Sequence, residues 1–266
     1  MYKGFQIMLH KDCFPDQKYY FDLGSKHLLE YRTKVEETIN SFVLADASLD
    51  GSQMKANWFP QINADVFISH SHRDEELAVI FAGWLYKAFG LTAFIDSCVW
   101  GYANNLLRKI DNQYCRREAT GSYDYNKRNY STSHVHMMLS VALSQMINNT
   151  ECLFFLNTPN SITPGTVIQQ TESPWIYSEI AMSGLIRQKY PNRIRRMTES
   201  FSSGGKLKVK YPLPTEHLTV VNCDILAECG KCWDNCEKSV QYPLYTADIN
   251  YHVLDILYKL TNKKDE

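Results

Sequence analysis

No stretch of the 266-residue chain approaches the roughly 18 consecutive apolar residues of a membrane-spanning helix, so no membrane partner is expected. Neither sign of charge dominates: 28 Lys and Arg stand against 29 Asp and Glu, net charge -1, which gives no general electrostatic reason to bind nucleic acid or an anionic surface. The basic run over residues 187–196 is the local exception and is read as a solvated helix end. The chain also lacks a G-x-G-x-x-G turn and a P-loop, which argues against a Rossmann dehydrogenase or an NTPase. It has no serine elbow with histidine and aspartate partners, and no internal repeat.

The first 11 residues carry charge and lack the apolar core of a secretory signal. The 8 cysteines are therefore expected to be reduced thiols, and the working localisation is cytoplasmic. Cys229 and Cys232 form one C-x-x-C pair, with Cys223 upstream and Cys236 downstream. A structural zinc site needs two well-spaced pairs; free thiols are the default and no metal is expected.

What is present is an alternation of short apolar runs and amphipathic stretches from Ala64 onward, the pattern of a parallel sheet covered by helices, an α/β architecture. Val66, Phe67 and Ile68 form a buried strand; Leu77, Ile80, Phe81, Trp84, Leu85, Ala88 and Phe89 then recur at three- and four-residue steps, with Gly90 at the expected cap. Residues 92–95 supply a second strand, and Leu106, Leu107 and Ile110 mark a shorter helix. Residues 113–133 break the rhythm, an insertion either functional or poorly ordered. The helical period resumes at Val135, a third strand covers 152–156, and Ser173 with Pro174 forms a cap and first turn for a helix reaching about Lys189. A strand at 218–221 and a terminal helix bearing Ile249, Val253, Leu254, Leu257 and Leu260 complete the domain over residues 64–260, before a tail at 261–266. Residues 1–63 read as a separate N-terminal extension whose helix presents Leu28, Val35, Ile39 and Phe42 on one side.

Ligands of an open parallel sheet bind beyond the carboxyl ends of its strands, which directs attention to Ser69, His70, Ser71, His72 and Arg73, to Asp96 through Gly101, and to Asn157 onward. The run Ala64, Asp65, Val66, Phe67, Ile68, Ser69, His70, Ser71 resembles the opening box of TIR domains. Phe94, Ile95 and Asp96, followed by a loop with Gly101, are similar to the second strand and BB loop of that family. Trp175 and Glu179 match the W-x-x-x-E spacing of the TIR enzymes that cleave NAD. The chain also resembles TIR proteins of Thoeris-type antiphage systems.

The resemblance implies a flavodoxin-like TIR fold and an NAD+ glycohydrolase or ADP-ribosyl cyclase with Glu179 as the catalytic carboxylate. It further implies NAD+ as substrate with no cofactor, a cyclic or modified ADP-ribose messenger read by a downstream effector, and a homo-oligomer joined through TIR surfaces. One carboxylate suffices in principle, because the pyridinium leaving group is already cationic and needs no general acid. Phe67, Ser69, His70, Arg73, Asp96, Trp100 and Trp175 are the candidate substrate-binding residues. Each has a plainer reading: Phe67 as core, Trp175 as a packing anchor, Arg73 in a surface ion pair, Asp96 fixing its own loop, and Glu179 as an exposed helix residue. Two other functions stay open, a non-catalytic TIR adaptor and a nucleoside deoxyribosyltransferase-like enzyme.

Overall fold

Every residue of Val66–Ser69 and of Cys152–Leu156 is buried, which a strand achieves only when both faces of its sheet are covered. In the computed structural model the described residues are 1–31, 39–46, 48–101, 103–117, 121–162, 170–171, 173–191, 211–212, 215, 217–239 and 252–262. In chain order they form β1 (Lys3–Met8), α1 (Gln17–Tyr31), α2 (Gly51–Trp58), β2 (Val66–Ser69), α3 (Glu75–Phe89), β3 (Ala93–Phe94), α4 (Asp96–Val99) and α5 (Ala103–Ile110). There follow α6 (Tyr125–Asn149), β4 (Cys152–Leu156), β5 (Gln170–Thr171), α7 (Pro174–Leu185), β6 (Tyr211–Pro212), β7 (Leu218–Asn222), α8 (Cys223–Ser239) and α9 (Val253–Asn262). The main sheet is parallel throughout, in the order β3-β2-β4-β1-β7, and β5 pairs with β6 in a small antiparallel ladder. The fold is α/β and flavodoxin-like, as the alternating pattern implies. Among the described residues no helix is long and apolar enough to cross a membrane.

The expectation of a separate element over residues 1–63 is corrected by β1. This strand lies inside the sheet, bonded to β4 on one side and β7 on the other, in the fourth place of the order. Phe5 and Ile7 are fully buried, and each such side chain contributes about 1.5–3 kcal/mol. Because β7 joins the sheet through β1, a boundary at residue 64 would cut the sheet in two. The following helix α1 crosses α3 closely, since a side chain on Gly24 would overlap the Val79 carbonyl and one on Gly83 the Tyr20 carbonyl. The helix itself is Gln17–Tyr31, while Ile39 and Phe42 belong to a 3-10 turn and Val35 lies outside the described residues.

Other local expectations meet their elements. Gly90 caps α3 at φ 68°, donating its N–H to the Tyr86 carbonyl. Ser173 accepts the Ile176 N–H at the start of α7, with Pro174 in the first turn, although α7 ends at Leu185 rather than near Lys189. Within the segment 113–133, the first residues close a π-helical turn, Asp111–Cys115, and the last part is the beginning of α6, opened by Asp124 as it accepts the Lys127 N–H; residues 118–120 lie outside the described residues. The terminal helix is α9; Ile249 lies outside the described residues.

Uniformly reduced thiols are also corrected. Cys13, on the turn after β1, is disulfide-bonded to Cys223 at the start of α8, because adjacent parallel strands deliver both residues to the same end of the sheet. Cys229 and Cys232 are free, and the Cys236 side chain lies outside the described residues.

Candidate functional site

In space the order is β3-β2-β4, so β3 and β4 lie on opposite sides of β2, and β2 and β4 meet at a topological switch point, the place where open parallel sheets set their ligand crevice beyond the carboxyl ends. Ser69 is the last residue of β2, and His70 follows it. Asp96 is the first residue of α4, one residue beyond the end of β3. Glu179 reaches the crevice from α7, where Ile176, Ile180 and Ser183 share its buried face. The Ser69 hydroxyl donates to Oε2 of Glu179 at 2.6 Å, and both groups are buried. Sequence reasoning thus named four residues that the fold brings to one place: Ser69, His70, Asp96 and Glu179.

Glu179 is only 4% exposed, against the usual fate of a helix glutamate. Burial holds its carboxyl well above the ordinary carboxylate range, the nearby charge of Asp96 pushes it further up, and the Ser69 hydrogen bond works the other way. His70 is buried as well, and burial lowers its titration; His72 adds to the lowering, while Asp96 and Glu75 oppose it. Its Nε2 lies 3.5 Å from the Ser97 hydroxyl, and its Nδ1 is buried without a hydrogen-bond partner. Burial thus disfavours the charged form of both the Glu179 carboxyl and the His70 imidazole, and the charge of Asp96 acts on both.

The other candidates stand elsewhere. Phe67 is fully buried against Phe94, and Trp100, 5% exposed, packs on Phe59 and Phe94 while its indole N–H donates to the Pro60 carbonyl. Both are core side chains, which corrects their reading as pocket walls. Arg73 is exposed, with its backbone N–H on the capping hydroxyl of Ser71. Trp175 is half-buried, edge-on to His136 of α6 with ring centroids 5.4 Å apart. Neither is joined to Glu179 by a hydrogen bond.

Ser97 lies in the segment after β3 that the sequence singles out, and the pairing of β3 with β2 brings it beside His70. One feature was not legible. Asp74, 8% exposed, accepts the Thr158 hydroxyl at 2.5 Å and the Asn160 side-chain amide at 2.7 Å, tying the turn after β2 to the loop after β4. An aspartate at a helix start ordinarily serves the helix dipole, which gives no sign of this link.

Beside Ser97 a cleft of 450 Å³ opens between α1, the first turn of α3 and the segment after β3; Phe21, Leu28, Glu75, Val79 and Cys98 line it. Among the described residues no group of three or more His, Cys, Asp or Glu is placed to hold a metal ion. No family model matches the chain, and neither a curated protein nor a solved structure matches it.

Proposed function

We propose that this protein cleaves the bond between nicotinamide and ribose in NAD+, with Glu179 as the catalytic carboxylate. The observation that carries the reading is the buried Glu179 carboxyl at the switch-point crevice, hydrogen-bonded by Ser69 and crowded by Asp96. A carboxyl whose titration is raised by burial and by a like charge is drawn toward its ionised form by an arriving cation. The pyridinium of NAD+ is such a cation, and Glu75 at the neighbouring cleft has the sign to attract it.

As the glycosidic bond breaks, its electron pair goes to the ring nitrogen, nicotinamide leaves neutral, and positive charge passes to the ribosyl group. The ionised Glu179 interacts with that charge and with the ribose hydroxyls more strongly than in the ground state, which lowers the barrier. Ser69 holds the carboxylate in orientation. Water adding to the sugar then gives ADP-ribose and releases a proton; a nitrogen of the adenine ring adding instead gives a cyclic product. In this reading the product is a messenger for a downstream effector in antiphage defence, and the chain works as a homo-oligomer.

The test is to incubate the protein with NAD+ and, separately, with deoxynucleosides, resolving products by chromatography and mass spectrometry. Release of nicotinamide with ADP-ribose or a cyclic isomer is expected. Turnover of deoxynucleosides with NAD+ left intact would overturn the proposal.

A further inference from the structure

Tyr114, Cys115, Asn126, Lys127, Tyr130 and Ser131, from the segment that breaks the helical rhythm of the sequence, take part in building a cavity that contains none of Ser69, His70, Asp96 and Glu179. It measures 900 Å³, within the range of about 300–1,000 Å³ typical of small-molecule sites. Its apolar part comes from Leu49, Met54, Ile110 and Met138, of which the two methionines are pliable enough to fit an irregular guest. Tyr114 on the π-helical turn and Tyr130 on α6 add aromatic surface, 38% and 70% exposed. A π-helical turn is rare and frequently accompanies a functional site.

The charges around this cavity are almost all committed. Asp111 accepts from Arg128 at 2.9 Å and from Ser131 at 2.6 Å, and Asp124 pairs with Arg117 at 2.7 Å while capping α6. Asp50 caps α2, and Asp46 is held by Ser48. Lys127 lines the cavity and, among the described residues, its ammonium has no carboxylate partner. The result is an apolar, aromatic-sided chamber beside a lysine that has no carboxylate partner among the described residues.

We propose that this cavity binds a small aromatic molecule bearing an acidic group, its rings against Met54 and Met138 and its anion on Lys127. The complementarity of the Lys127 ammonium, without a carboxylate partner among the described residues, with an apolar chamber selects this class over a neutral lipid or a cationic ligand.

The probe is 1-anilinonaphthalene-8-sulfonate, titrated into the full chain and followed by fluorescence and calorimetry. Saturable one-site binding is expected. Lys127→Glu should weaken it by about tenfold or more, the worth of one charge-assisted contact. Met138→Trp should block it, and Ser48→Trp at the mouth serves the same purpose if Met138→Trp does not fold. Glu179→Gln should leave it unchanged, which separates this proposal from the catalytic one. Non-saturating fluorescence, or equal binding by the wild type and the folded Lys127→Glu and tryptophan variants, would overturn it. So would a sedimenting dimer whose formation displaces the dye, since that assigns the cavity to a second copy of the chain.

Discussion

Replacing Glu179 by glutamine removes a titration while keeping the side chain's size and its ability to meet the Ser69 hydroxyl. Stability should then change in a direction that the site's electrostatics dictate. In the native protein the carboxyl titrates above its ordinary range, first because it is buried and second because Asp96 is near. A group whose folded-state pKa is raised contributes stability that is complete below its unfolded pKa and is lost as pH rises through the folded value. The loss for one proton has a slope of at most about 1.4 kcal/mol per pH unit. Glu179→Gln escapes it, so above the ordinary carboxylate range the variant should become progressively more stable than the wild type, until the native carboxyl is fully ionised. For a chain of this size each 1 kcal/mol moves the melting temperature by about 2–4 °C. Urea and thermal unfolding of both proteins, measured side by side between pH 4 and pH 9, read the difference directly, because every other group is common to the pair. Parallel stability curves across that range would refute the reasoning, since Glu179 would then titrate alike in folded and unfolded chains.

Asp96→Asn should move two titrations down together, that of Glu179 because a like charge is gone and that of His70 because a favourable one is, and NMR titration of the carboxyl and imidazole signals checks both. Gly83→Ala should destabilise by about 1–3 kcal/mol, because the new methyl group would overlap the Tyr20 carbonyl and force α1 from α3; an unchanged denaturation midpoint would contradict the close crossing. Alkylation of unfolded, unreduced protein should spare Cys13 and Cys223, and reduction should cost about 2–4 kcal/mol of stability; full labelling without reductant would remove the crosslink from the account.

The parts of the fold that could be read from sequence are those whose chemistry is local. Ser173 with Pro174 fixes the start of α7, Gly90 ends α3, and the uniformly apolar runs at β2 and β4 mark strands covered on both faces. Ser69 and Glu179 could be named because strand ends and helical spacing restrict where such residues go, but their contact spans 110 positions and only the fold closes it. β1 was missed because Lys3 and Gln6 interrupt its apolar residues and its pairing partners lie far along the chain. The Cys13–Cys223 bond, 210 residues apart, was hidden for the same reason. Phe67 and Trp100 were misplaced because an aromatic residue near a strand end serves equally as core or as pocket wall, and β-strand alternation alone does not choose between them. The beginning of α6 escaped notice because its exposed first turns carry no apolar period, although Asp124 was there to signal the cap.

The most direct test of the central claim is the rate at which purified wild-type protein and Glu179→Gln release nicotinamide from NAD+, with folding of the variant verified by its melting curve. The account expects release by the wild type and a loss of about 10²–10³-fold or more in the variant, the scale of removing one preorganised electrostatic contact. Equal rates from the two folded proteins would contradict it, leaving Glu179 a buried carboxyl that the chemistry does not use.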